Sequence, residues 1–208
     1  MEQEQLKIFD RYRNQIGVAS RTEVHRIGYW HEAFQCWFVG RENDRDIVFL
    51  QIRSETKKDY PNLLDITAAG HLSADETVRD GVREIEEEIG IDLSFHELIP
   101  LGVIEYCVTK KNFIDKELAN VFLYQSDHSL DDFILQREEV SGMVKADLNE
   151  FAELWSGKRQ AIRIEGFENK TDGNKASIDK MAGRDEFVPH PVSYYETVIK
   201  RIKERMND

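Results

Sequence analysis

The sequence predicts an α/β protein of the α+β type, with a mixed, largely antiparallel sheet and helices packed against it. Three observations lead there. Extended segments rich in β-branched and aromatic residues follow one another at hairpin spacing. Strong helical patterning is confined to the middle and the end of the chain. Strands and helices do not alternate in the manner of a doubly wound parallel sheet. The 208 residues suffice for one substantial core, and 1–208 is read as a single domain.

Composition narrows the function classes. No apolar run approaches the ~20 residues that cross a bilayer. The start, MEQEQLKIFDRYRNQ, is too polar for a secretory signal and too acidic for a transit peptide. Two isolated cysteines, Cys36 and Cys107, make no disulfide framework, so a cytoplasmic protein with free thiols is expected. A net charge of −12 without a long basic run sets the surface against nucleic acid, and neither nucleic acid nor membrane is expected as a partner. The same field repels a phosphorylated small molecule unless a metal or a local group of Lys and Arg reverses it.

Along the chain, EQLKIFD and IGVASRTEV read as an N-terminal hairpin over about 4–19, turning at Tyr12–Gln15. A strand is expected from about Glu32 to Val39, and DRDIVFLQIRS reads as its antiparallel neighbour across the polar turn GRENDRD. The segment 54–77 reads as a loop with a short extended piece near Leu64–Thr67, and a helix is expected from Glu76 or Thr77 to Ile89, stopped by Gly90. HELIPLGVIEYCVTKKN and KELANVFLYQS read as two strands with a turn around Lys111–Asp115. ADLNEFAELWSG reads as a short helix capped by Asp147 or Asn149, 165–187 as a long polar loop, and about 193–206 as a helix with Ser193 as its N-cap.

The stretch REIEEEIGI, residues 83–91, carries the chemistry. At 100° per residue Val78, Val82, Ile85 and Ile89 form one apolar stripe, and Glu84, Glu87 and Glu88 share another face, roughly opposite, with Asp80 one turn earlier. Like charges at these spacings repel. A solvated face is one explanation; a shared divalent cation, which prefers oxygen ligands, is the other. Arg83 is four before Glu87, within ion-pair reach, and Glu86 points elsewhere.

The stretch from Gly70 to Ile91 resembles the Nudix box, the signature of the Nudix hydrolases. Arg83, Glu84, Ile85, Glu87, Glu88, Gly90 and Ile91 match its second half, and Gly70 and Glu76 its first. One residue is missing between Glu76 and Arg83 relative to the family pattern, which leaves the loop geometry and any role of Glu76 open. Upstream, Gln51-x-Arg53-Ser54, the lysines, Tyr60-Pro61, Asp65 and Ala68-x-Gly70-His71 resemble an isopentenyl-diphosphate isomerase-like Nudix subgroup.

That resemblance implies the Nudix α/β/α sandwich, MutT-like pyrophosphatase chemistry on a small-molecule diphosphate, a homodimer, and Mg²⁺ or Mn²⁺ held by Glu84, Glu87 and Glu88 with the Gly70 carbonyl. Glu87 or Glu84 would serve as general base and Arg83 as the ion-pair support. An acid outside the box is expected from the later strands, Glu105 first and Glu117 second. Arg53, Lys57, Lys58 and His71 are candidates for substrate contact, and Tyr60 and Trp37 for stacking on a base. His25, His31 and Cys36 form no metal-ligand spacing. Two alternatives stand beside the hydrolase: an isomerase moving protons with Cys36 and Glu105, and a non-catalytic nucleotide or metabolite sensor.

Overall fold

The computed structural model describes residues 4–111, 113–170 and 174–206. The chain starts with a hairpin, β1 (Gln5–Phe9) and β2 (Gln15–Ser20), whose turn is held by the Asp10 carboxylate accepting from the Tyr12 and Asn14 N–H groups. A short helix that the patterning did not predict, α1 (Arg21–Ile27), follows. Ser20 caps it by accepting from the Glu23 N–H, and left-handed Gly28 ends it. Next come two long strands, β3 (Trp30–Glu42) and β4 (Arg45–Arg53), two short ones, β5 (Leu64–Asp65) and β6 (Ala68–His71), and helix α2 (Arg83–Ile89). Strands β7 (Ile99–Lys110) and β8 (Phe113–Gln125) form a long hairpin. Strand β9 (Val140–Asp147) leads into α3 (Leu148–Trp155), β10 (Ala161–Asn169) and β11 (Lys175–Gly183) pair, and α4 (Val192–Met206) follows.

The sheet order is β11-β10-β9-β4-β3-β1-β2, with β5 joined to β4, β6 and β8 to β3, and β7 to β8. Among the described strands β3–β8 is the one parallel pair, so the sheet is mixed and largely antiparallel, as the sequence predicts. Strand alternation sends residues to two cores. Phe34, Cys36 and Phe38 of β3 and Phe49 of β4 pack with Ile85 and Ile89 of α2 on one face. Trp37, Val39, Val48 and Leu50 pack with Phe151 of α3 and Tyr194, Tyr195 and Val198 of α4 on the other. Trp155 and Tyr195 stack with ring centroids 3.6 Å apart, and each buried aromatic of this layer contributes about 1.5–3 kcal/mol of transfer free energy.

The sheet opens where the site lies. The C-terminal half of β3 pairs with β4 through Phe38↔Phe49, whereas its N-terminal half pairs with β6 through Ala33↔His71. The far end of β4 pairs instead with β5 through Gln51↔Asp65. The chain from Leu64 to His71 therefore fills a wedge between the two central strands.

Several expectations need correction. Residues 165–187 are not a loop: 161–169 and 175–183 form an edge hairpin, with residues 171–173 outside the described ones. Edge strands bury few side chains, so their composition stays polar. Residues 77–82 are not yet α-helix. The Asp80 carboxylate bonds the Thr77 N–H and hydroxyl, and a 3₁₀ turn over Asp80–Val82 leads into α2. Asp147, not Asn149, caps α3, and Ser193 lies inside α4 rather than capping it. No described helix is long and apolar enough to cross a membrane.

Candidate functional site

A cavity of about 490 Å³ occupies the wedge, lined from β3, the 53–71 segment, α2, the β7–β8 hairpin and His190. Helix α2 supplies its acidic wall. Ile85 and Ile89 anchor the helix in the core, and Gly90, left-handed at φ 72°, stops it by returning its N–H to the Glu86 carbonyl. Glu88 is not on a solvated face. It is buried, and its Oε2 accepts from the Ala69 N–H at 3.0 Å and from the Gln51 side chain at 3.3 Å. Glu84 retains 12% side-chain exposure, whereas Glu87 retains 54%. Glu86 is exposed, as expected.

Arg83 holds this group together. It reaches Glu84 at 2.7 Å, Glu87 at 2.9 Å and both oxygens of Glu76. Glu76 also accepts from the Ser73 N–H at 2.7 Å, so despite the shortened spacing it ties the loop before α2 to Arg83. Gly70 is required by contact: a Cβ there would overlap the Glu84 carboxyl group. Burial pushes the Glu84 carboxyl up to about 7, the charge of Glu87 adding to it, and burial with the neighbouring Glu84 pushes Glu88 to about 8. Two adjacent buried carboxylates beside an open glycine backbone are an oxygen-rich cradle that a hard divalent cation fits.

A second cluster stands beside the first, and sequence spacing gave no sign of it. His25 of α1, His31 of β3, His71 of β6 and Asp115 of β8 each offer a ligand atom, all within 4.8 Å of one another. His25 Nδ1 lies 2.9 Å from the Arg21 carbonyl oxygen and His31 Nδ1 3.2 Å from that of Tyr29. With each Nδ1–H donating there, both Nε2 atoms face Asp115 Oδ1 at 3.5 Å. The buried His31 Nε2 and Asp115 Oδ1 have no hydrogen-bond partner. Burial pushes His31 down to about 4 and His71 well below the ordinary range, so these two imidazoles stay neutral, the state that binds metals. The signal for this cluster lies in the strand register, which sets His31 beside Glu117 and Ala33 beside His71.

The remaining candidates divide. Glu105 lies on the outer face of β7, exposed and paired with Arg13 at 2.7 Å, and is not part of the cavity wall. Glu117 takes the inner position: buried, it accepts from the Tyr106 hydroxyl at 2.6 Å and the Gln35 amide at 3.1 Å. Burial and nearby Asp115 push its carboxyl well above the usual range. Arg53 and Lys57 line the cavity but are already engaged, Arg53 with Asp65 at 2.9 Å and the Asp59 carbonyl, Lys57 with Glu139. Lys58 is exposed and off the cavity, and Trp37 is fully buried in the core. Cys36 is fully buried, and burial pushes its thiol up; among the described residues no cysteine lines the cavity.

Comparison with known proteins places the chain in a family. The NUDIX domain profile matches residues 30–167. An uncharacterized Nudix hydrolase of Clostridium acetobutylicum is 39% identical over 204 residues, covering 97% of this chain and 98% of that protein. An isopentenyl-diphosphate Delta-isomerase of Saccharopolyspora erythraea is 28% identical, covering 68% of this chain and 72% of its own. A Deinococcus radiodurans crystal structure shares the fold with a TM-score of 0.52 at 19% identity, over 74% of this chain and 90% of that one. With its box residues gathered on one cavity wall and the profile spanning most of its length, the chain belongs to the Nudix hydrolase family.

Proposed function

We propose that this protein is a metal-dependent pyrophosphohydrolase acting on a small-molecule diphosphate, a nucleoside diphosphate linked to another group or a similar metabolite. The observation that carries this reading is the buried Glu88 carboxylate and the largely enclosed Glu84 carboxylate, the latter set against Gly70 and braced by Arg83. Glu84, Glu87, Glu88 and the Gly70 carbonyl would hold Mg²⁺ or Mn²⁺. That ion would neutralise the diphosphate and lower the pKa of an attacking water.

The rest falls to the chain's own groups. Among the described residues, the Arg and Lys side chains lining the cavity, Arg21, Arg53, Lys57 and Arg83, all have carboxylate partners. The phosphates therefore enter only with cation support. Glu87, half exposed and oriented by Arg83, and Glu84 beside it are positioned to take the proton of the water. Glu117 replaces Glu105 as the acid outside the box, its proton position set by Tyr106 and Gln35. The three histidines with Asp115 suit a second, softer cation than Mg²⁺.

The isomerase alternative loses its proton carrier, because Cys36 is enclosed in the core and Glu105 lies outside the cavity. The test is a product assay on a panel of pyrophosphate compounds, isopentenyl diphosphate included, with Mg²⁺ and Mn²⁺. Metal-dependent cleavage that disappears in Glu87→Gln supports the hydrolase. Double-bond migration without cleavage, or tight binding with no turnover of any compound, would replace it with the isomerase or the sensor.

A further inference from the structure

Among the described residues nine carboxylates line the cavity against four Arg and Lys side chains, and each of the four is already held by a carboxylate. A diphosphate entering this field gains from any of the four that can be released to it. They differ in how firmly they are held. Arg83 is shared by Glu76, Glu84 and Glu87. Arg53 donates to Asp65 and, through two nitrogens, to the Asp59 carbonyl, and so braces the chain from 53 to 65. Arg21 pairs with Glu4 at 3.6 Å, and its charge falls on His31 and His71 of the histidine cluster. Lys57 has a single carboxylate partner among the described residues, Glu139.

The Lys57–Glu139 pair stands beside the glutamate cluster. Both side chains line the cavity, 17% and 19% exposed, so neither is sealed off. Their backbones are tied together: the Ser54 N–H donates to the Glu139 carbonyl at 2.9 Å and the Thr56 hydroxyl to the Glu138 carbonyl at 2.9 Å. The Gln136 N–H donates to the Glu88 carbonyl at 3.0 Å, which fixes the segment carrying Glu139 to the end of α2. The charges of Lys57 and Glu139 both bear on the Glu88 carboxyl, with opposite sign. The anchors are rigid and the side chains are not: an ammonium on a four-carbon stem is a point charge that changes partner without losing a fixed geometry.

We propose that Lys57 and Glu139 are an ion pair that opens on loading: the Glu139 carboxylate turns toward a divalent cation held at Glu84 and Glu88, and the Lys57 ammonium it releases binds a phosphate oxygen of the substrate. This rests on the diphosphate reading above. Every charge keeps an opposite partner before and after the exchange, so neither is left buried and unpaired. Metal and diphosphate then bind in that order. Without the cation, Glu139 keeps Lys57 from the anion and is a positioning residue for it.

A double-mutant cycle reads the exchange. Inorganic pyrophosphate is titrated by calorimetry into the wild type, Glu139→Gln, Lys57→Gln and the double variant, without metal and with saturating Mg²⁺. Thermal midpoints confirm that each variant is folded, and Glu139→Ala with Lys57→Met forms a second cycle if one is not. Glu139→Gln is expected to tighten metal-free pyrophosphate about tenfold in the wild-type background, but less than about twofold in the Lys57→Gln background and less than about twofold with Mg²⁺. Tightening of equal size in both backgrounds is a general charge effect and overturns the exchange, as does no tightening in either. Failure of the wild type to bind pyrophosphate with Mg²⁺ overturns the diphosphate reading and the exchange with it.

Discussion

The glutamate cluster and the histidine cluster are built in opposite ways. The glutamate cluster comes from one helix, its residues contiguous and braced by a single arginine. The histidine cluster is assembled from α1, β3, β6 and β8, each giving one side chain. Burial acts on both but with opposite sign: it pushes Glu84 and Glu88 up and His31 and His71 down, because in each case the charged form loses hydration. A cation held as proposed by Glu84 and Glu88 would compete with protons near neutrality, whereas one held by His31 and His71 would compete with them only in acid.

The largest effect should come from separating the two clusters. Glu88→Gln is expected to lower Mg²⁺-dependent turnover on the order of a hundredfold or more, beyond what outer-shell changes do, while Co²⁺ or Zn²⁺ binding at the histidines persists. His31→Asn should do the converse, losing the softer metal and keeping Mg²⁺ binding. Calorimetric stoichiometry with each metal decides the matter, and loss of both metals in both variants would mean a single shared centre.

A pH series sharpens the contrast. The folded-state values of Glu84 and Glu88 lie above their unfolded value of 4.5, so metal-free protein loses stability as pH rises from 4.5 through about 7 and about 8. The folded-state value of His31 lies below its unfolded 6.5, so its contribution is complete above 6.5 and is lost as pH falls toward about 4. Between pH 4.5 and 6.5 the two contributions oppose each other, and above 6.5 the carboxylates act alone, so melting temperatures of metal-free protein should fall from pH 6.5 to 8. Glu88→Gln should flatten that fall, His31→Asn should steepen the pH dependence between 4.5 and 6.5, and Mg²⁺ should raise Tm more at pH 8 than at pH 6. Unchanged slopes in the variants would assign them to other groups.

The smallest effect tests which strand glutamate belongs to the cavity. Glu105→Gln removes one exposed ion pair and should change stability by less than about 1 kcal/mol and turnover not at all. A measurable loss of turnover would return Glu105 to the site in place of Glu117.

These differences also explain what the sequence could and could not show. The glutamates and Gly70 were legible because one helix and the strand before it place them by local spacing. The histidines lie far apart in the chain, and only the parallel register of β3 and β8 and the wedge of β6 bring them together. Glu105 and Glu117 were indistinguishable by residue type. Which strand face meets the cavity follows from the Tyr106↔Glu117 pairing, a long-range fact. The edge hairpin of β10 and β11 resembles a loop in sequence because its outer face is solvated. The hydrogen bond of Gln51 to Glu88 follows from packing and has no mark in the local sequence.

The hydroxyl of Tyr194 on α4 donates to Gln35, 159 residues earlier, and Gln35 in turn bonds Tyr106 and Glu117. The floor of the cavity thus waits on a helix made long after the glutamate wall. On the ribosome the box helix can pack against β3 and β4 while α4 is still untranslated, leaving Gln35 and Glu117 in an unfinished interior. Competence arrives only once α4 has been made, in a step that closes a long loop and is correspondingly slow.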